Sequence, residues 1–531
     1  VNIADALDRN ALFFPDNEAL VDGPRRWSYA HYRRDADGLA QALSGLGVAK
    51  GDRVCIFMGN SAEFAITFYA ILKVGAIAVS ISSMSRMAEV EYMVGNCEAE
   101  VVVVGRDYLP ELPHRSAMPR VREVIVVSAE GTDAPPEADH DFWPLVRSSP
   151  GSFVTVYTDR DDGAEIIYTS GTTGKPKGVV LTHGNVVSNT YSTMYESGMS
   201  RDDRLVCFLP MYHSFAQNFI FNASVRAGST LVILPRFEME TTLQRMAEER
   251  VTRWYAVPTI YIMVLNAPGA EAAFEHVRYC FSAAATMPQE VMRQWSDRFG
   301  LSINEGYGLT ESTPSAVYNH TYRHKPGTVG TPIMNVEVQI WDADGNVLPV
   351  GEVGEIALRG PNIMKGYYND PTASAEVLVN GWLRTGDVGV LDDEGYLTLK
   401  DRIKDMVNSA GLKIWPREVE EVLYTHEMIE ECAVIGVPDP VYGENVKACI
   451  VLRPGATVCF EDVVVFCKQR LASYKAPKIV EFMDQLPKSA TGKILKTELR
   501  KMAEESVEAS AGGGQRGDEP AADDAKSGES E

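Results

Sequence analysis

Residues 166–185 read IIYTSGTTGKPKGVVLTHGN, in which six consecutive small or hydroxylated residues, Thr169 to Gly174, and then Lys175 and Lys177 stand between two apolar runs. So bare a backbone offers N–H groups, hydroxyls and an ammonium, the donors that converge on a polyanion. The order G-x-x-x-x-G-K-[ST] is not met, because Pro176 follows Gly174 and Lys175 where a metal-binding hydroxyl should stand. The common nucleoside-triphosphatase loop is therefore excluded. Taken alone, the stretch reads equally as a solvated glycine-rich turn.

Five further strings carry groups able to do chemistry: LPMYHSFA (209–216), NEGYGLTES (304–312), GWLRTGDVG (381–389), KDRIKDMVNSAGLKIWPREVE (400–420) and PKSATGKILKTELR (487–500). Each also has a plain structural reading. Tyr307 could be a buried ring and Glu311 a solvated acid, Asp387 a turn cap, Lys493 a surface lysine, and His213 a hydrogen-bonded core residue.

The elements that must hold these strings alternate. DRVCIFMG precedes SAEFAITFYAILKVG, AEVVVVG follows MAEVEYMVGNC, STLVILP precedes METTLQRMAEERV, and RYCFSAA precedes MPQEVMRQWSDRF. Short β-rich runs between helical ones predict α/β architecture, with parallel sheets covered by helices. AEIIYTS is the strand expected before the glycine-rich stretch. From VEVQIWDADGNVLPVGEVGEIALRG onward, strands joined by DADG and DDEG predict hairpins and a smaller β-rich subdomain. Mixed α+β character returns near Asp401.

Length and charge limit the rest. A chain of 531 residues with 45% hydrophobic content fills more than one core. A net charge of -23 excludes a broad nucleic-acid footprint, which needs clustered Lys and Arg. The eight cysteines form no C-x-x-C pair, so neither a disulfide framework nor a zinc site is indicated, and a cytoplasmic location fits. VNIADALDRNALFFPDN reads as an amphipathic helix and not as a secretion signal. The apolar run from Phe64 is interrupted by Lys73 and Gly75, which favours a buried helix and strand over an integral membrane segment. The end of the chain, from 504 to 531, is acidic and poor in large apolar residues, and is expected to be a disordered tail.

Together the strings closely resemble the signature motifs of the adenylate-forming enzymes, the superfamily of acyl-CoA synthetases, firefly luciferase and peptide-synthetase adenylation domains, and are most like bacterial fatty or aryl acid–CoA ligases. The resemblance implies a large N-terminal adenylation domain (1–401), a small mobile C-terminal domain (402–503) and an acidic tail (504–531). It implies ATP, Mg²⁺ and coenzyme A acting on a small-molecule carboxylic acid: acyl-AMP and pyrophosphate form first, then acyl-CoA and AMP.

By resemblance Thr169, Ser170, Gly171, Thr172, Thr173, Gly174 and Lys175 hold the β- and γ-phosphates. Gly306, Tyr307 and Gly308, with Ala284, face adenine; Thr310 lies near the α-phosphate and Glu311 holds Mg²⁺. Asp387 and Arg402 hold the ribose. Lys493 bridges carboxylate and α-phosphate in the adenylation step. Lys404 is the hinge, and Gly411, Lys413 and Trp415 serve CoA. His213, Phe215, Asn218 and Ala283 line the acyl pocket, where many relatives have glycine in place of Ala283, so the space is shortened. A medium-chain fatty or aryl acid follows. An acyl-AMP ligase loading a separate carrier protein, a luciferase-like oxygenase and a non-catalytic nucleotide-binding regulator are the alternatives, and a homodimer is carried as an option.

Overall fold

The computed structural model describes residues 1–129, 132, 135–148, 152–169, 175–489 and 491–512, with side chains as far as 506. The chain forms two compact units, the first of Val1–Lys404 together with Ser489–Lys493, the second beginning at Asp405. The division falls at Lys404 and not at 401. The reason is local: strand Leu397–Arg402 is still hydrogen-bonded to Trp382–Leu391, so the chain leaves the first unit only after Arg402.

Within the first unit lie two largely parallel sheets. In one of nine strands, Arg204–Cys207, Arg253–Ala256, Tyr279–Ser282 and Ile303–Gly308 are neighbours, all parallel. In the other, of eight, Val101–Gly105 runs beside Arg53–Phe57 and Glu123–Val127. Its four consecutive valines, 101–104, are fully buried, the pattern expected of a strand covered on both faces. Gly163–Thr169 is parallel to Ile77–Ser80 on one side and antiparallel to Lys177–Thr182 on the other.

The apolar run from Phe64 forms the buried helix Ala62–Val74 followed by strand Ile77–Ser80. Ser61 caps its start, and Gly75, at φ +80°, takes the left-handed position that ends it. Lys73 is wholly buried, its ammonium paired with Asp8 and, at 2.9 Å, with Asp37. Among the described residues no helix is long and apolar enough to cross a membrane.

A third, antiparallel sheet holds Glu337–Trp341, Gly354–Arg359, Trp382–Leu391 and Leu397–Arg402. Its DADG and DDEG turns are built alike. Asp342 Oδ1 accepts from the Asp344 and Asn346 N–H groups, and Asp392 Oδ1 from those of Glu394 and Tyr396. Gly345 and Gly395 then take φ +86° and +84°.

The second unit packs helices Pro416–Tyr424 and Phe460–Lys468 on the hairpin of Ile429–Asp439 and Gly443–Leu452, around Val407, Val419, Val434 and Ile450. Its last helix is Lys496–Gly512. The expected tail boundary at 504 is thus too early, because KTELRKMAEES is rich in strong helix formers that carry the helix onward. Residues 513–531 lie outside the described residues.

Candidate active site

His213, Phe215, Ala283, Ala284, Thr310 and Glu311 follow the C-terminal ends of the four adjacent parallel strands, where α/β sheets place ligands. Thr169 ends a strand of the other large sheet, and Asp387 and Arg402 lie in the antiparallel one. Cys207 leads into Leu209–Phe215, Ala256 into Val257 and Thr259, Ser282 into Ala283 and Ala284, and Ile303–Gly308 into Thr310 and Glu311.

Tyr307 is buried, and its hydroxyl donates to Asp387 Oδ2 at 2.8 Å. Burial first, then the Asp387 charge, pushes the phenol well above its usual pKa, so it remains a donor. Arg402, directly opposite Asp387 on the neighbouring strand, approaches Oδ1 at 3.2 Å. A carboxylate has room for further donors after two such bonds, so Asp387 can still accept from a ligand hydroxyl. The Tyr307 hydrogen bond to the charged carboxylate contributes about 1.5–3 kcal/mol, and the ion pair with the more exposed Arg402 less.

Protein packing alone already requires glycine on either side of Tyr307. A Cβ on Gly306 would lie 2.6 Å from Phe281 Cζ, and one on Gly308 would overlap the Pro314 carbonyl.

Thr310 opens a short turn, with its hydroxyl 3.2 Å from that of Ser214. Glu311 follows. Tyr367 donates its hydroxyl to Glu311 Oε1 at 2.9 Å, and the Met364 N–H donates to the Glu311 carbonyl at 2.9 Å. Desolvation raises the Glu311 pKa, an effect that hydrogen bonds oppose. Asn362 braces the same turn, its amide donating to the Ser312 and Ser315 carbonyls. Neither Tyr367 nor Asn362 was expected from the sequence, since each makes a fold contact with no motif of its own, and Ser214, inside LPMYHSFA, was not singled out within that string.

Among the described residues no cluster of three or more His, Cys, Asp or Glu could cage a metal. One isolated carboxylate, Glu311, suits Mg²⁺, which is usually held by one or two carboxylates plus substrate phosphates and keeps several waters.

Lys175 extends over the Tyr92 ring, 5.6 Å from its centroid, and Lys177 over that of Tyr367 at 5.0 Å. Thr169 ends its strand beside Lys177. Ser170, Gly171, Thr172, Thr173 and Gly174 lie outside the described residues.

A narrow pocket is lined by Leu209, Pro210, His213, Phe215, Ala216, Val257, Ala284 and Thr491. His213 Nδ1 accepts from the Phe215 N–H at 3.3 Å, while burial and then the Lys493 charge push its pKa down to about 4. The imidazole is therefore neutral near pH 7. Thr259 donates to the Gly492 carbonyl at 3.1 Å, which ties the short Ser489–Lys493 segment to the first unit. Ala284, not Ala283, lines the pocket, and at φ +69° it sits in the left-handed region.

Asn218 does not line it either. Its amide donates to Glu165 and its carbonyl accepts from Asn222 at 2.8 Å, so the side chain is engaged in a buried network behind the pocket. The cause is the π-helical winding of Phe215–Asn222, which changes which side chains share a face.

In the second unit Gly411 follows Ala410 in a tight turn, with φ +83° and +52°. Backbone conformation accounts for the glycine, and no neighbouring atom lies within 4 Å of where a Cβ would be. Lys413 is exposed on the adjoining strand, and Trp415 precedes helix Pro416–Tyr424.

Residues 7–368 match the family model described as AMP-binding enzyme, and residues 418–493 that of the AMP-binding enzyme C-terminal domain. The chain belongs to the AMP-binding enzyme family. It is 33% identical to a long-chain-fatty-acid–CoA ligase of Bacillus subtilis (strain 168), over 94% of each chain. It is 34% identical to a feruloyl-CoA synthase of Amycolatopsis sp, over 93% of this chain and 97% of that one. The fold matches the crystal structure of the anthranilate CoA ligase AuaEII in complex with anthranoyl-AMP, with a TM-score of 0.89, 28% identity and coverage of 96% and 98%. Residues 304–312, with Tyr307 and Glu311, fall inside the stretch that matches the AMP-binding enzyme model, and Asp387 and Arg402 fall beyond its end at 368.

Proposed function

We propose that this ATP-dependent acid–CoA ligase activates a medium-chain fatty or aryl acid that carries no second charged group. The observation that supports the acid class is the apolar wall of the pocket, made by Leu209, Phe215, Ala216 and Val257, with Lys493, the proposed adenylation lysine, as the cation that acts on His213. Phe219 and Phe281, stacked with centroids 4.4 Å apart, stand behind Phe215 and limit depth, which favours a ring or a short chain over a long one.

The chemistry follows from the electrophile. A carboxylate has no leaving group better than oxide, so AMP is attached first and displaced later by the CoA thiol. Asp387, oriented by Tyr307 and Arg402, receives the ribose hydroxyls. Thr310 stands near the α-phosphate, and Glu311 is the residue that would hold Mg²⁺, which supplies charge neutralisation for the leaving pyrophosphate. Lys493 stabilises the charge gathered between carboxylate and α-phosphate. Neutral His213 shapes the junction between acid and thiol without adding charge. For the second half-reaction, rotation at Lys404 brings Gly411, Lys413 and Trp415 to CoA.

The test is exchange of labelled pyrophosphate into ATP and CoA-dependent ATP consumption across an acid library. Benzoate-like or C6–C10 acids are expected to turn over fastest, and fastest turnover on acetate, malonate or palmitate would overturn the acid class. Lys493→Ala is expected to lose at least ~10²-fold in exchange while still converting preformed acyl-AMP and CoA to thioester.

A further inference from the structure

Glu311 stands in a three-residue turn, Thr310–Ser312, too short to fix a carboxylate by itself. Beside its own backbone N–H, which bonds the carboxylate, one segment supplies two partners: the Met364 N–H holds the Glu311 carbonyl and the Tyr367 hydroxyl holds Oε1, each at 2.9 Å. That segment is itself pinned. Lys365 N–H donates to the Val180 carbonyl, Tyr367 pairs with Val179, and Tyr368 N–H donates to the Gly178 carbonyl. Tyr367 N–H is held by Ser374 Oγ at 2.8 Å. The partner strand, Lys177–Thr182, opens with Lys177, whose ammonium covers the Tyr367 ring at 5.0 Å. A cation on the ring face draws electron density from the phenol and strengthens its O–H as a donor.

We propose that Tyr367 is a positioning residue for the metal, holding Glu311 Oε1 so that Oε2 is presented to the Mg²⁺ of the bound nucleotide. This rests on the reading of Glu311 as the metal's carboxylate. Partners that orient a ligating carboxylate typically change metal affinity by 10–100-fold when removed.

Tyr367→Phe deletes one hydroxyl and keeps the ring and its covering lysine. The probe is Mn²⁺ binding to the enzyme complexed with α,β-methylene-ATP, followed by electron paramagnetic resonance, which needs neither acid nor turnover. The variant is expected to bind Mn²⁺ at least ~10-fold more weakly, with unchanged melting temperature and unchanged affinity for the analogue in EDTA. Glu311→Gln is the reference, and the double variant is expected to be no weaker than Glu311→Gln alone. Wild-type Mn²⁺ affinity in Tyr367→Phe, or losses that multiply in the double variant, would overturn the proposal. Should Tyr367→Phe lower the melting temperature, the same cycle run below both transitions still decides. Absence of pyrophosphate exchange with every acid would sink the proposed function while leaving the metal measurement readable.

Discussion

Ala284 shows how one residue can be strained in the service of a site. Its left-handed backbone, φ +69°, costs an alanine about 1–2 kcal/mol relative to the right-handed region and turns the chain over the pocket that it lines. Ala284→Gly is therefore expected to raise stability by up to ~1 kcal/mol, and Ala284→Val to lower it by more than that, since a branched Cβ fits this region worst. Urea titrations of the two variants check it, and a valine as stable as the wild type would contradict it. The sequence drew attention to Ala283 for its extra methyl, yet φ was invisible there. The sequence named Asp387 and Tyr307 through their motifs, and the structure joins them by a hydrogen bond between strands distant in the chain. Tyr367, which meets Glu311 only through the fold, had no such mark.

Strand Gly163–Thr169 and the π-helical segment Phe215–Asn222 are joined by one buried acid. Glu165, wholly buried, accepts from the Gln217 and Asn218 amides, and Gln217 in turn accepts from Ser80 Oγ at 2.7 Å. Desolvation raises its pKa from 4.5 to about 7. The folded protein thus holds this proton more tightly than the unfolded chain, so the contribution to stability is full below about pH 4.5 and is lost as pH rises through 7. Glu165→Gln is expected to remove that dependence, a difference on the order of 3 kcal/mol across the window. Denaturation midpoints of both proteins measured from pH 4.5 to 8 provide the check, and parallel pH curves would refute it. Strand and helix existence here was readable from alternation and apolar runs. The π-helical register was not legible, and Phe219 within it packs against Phe281 and Tyr255, neither near in sequence.

At the scale of the whole chain the two units meet the connection at 403–405, where Ile403 and Lys404 are exposed. Brief trypsin treatment is expected to leave two persistent fragments, ending and beginning at Lys404 and Asp405, because a cut there severs neither core. Mass spectrometry of the products decides it, and progressive loss of the whole chain without such a pair would refute it. The two-part organisation was legible from the change of composition near Asp401, whereas the boundary itself was set by the pairing of Asp387 with Arg402, a contact between distant parts of the sequence.

The thiols have a practical corollary. Seven of the eight cysteines are buried, and Cys459, exposed at the start of helix Phe460–Lys468, stands in the second unit. Asp462 raises its pKa, so a maleimide fluorophore would react slowly but selectively there. A dye attached at that single position would report on the second unit alone, with no cysteine first having to be engineered away.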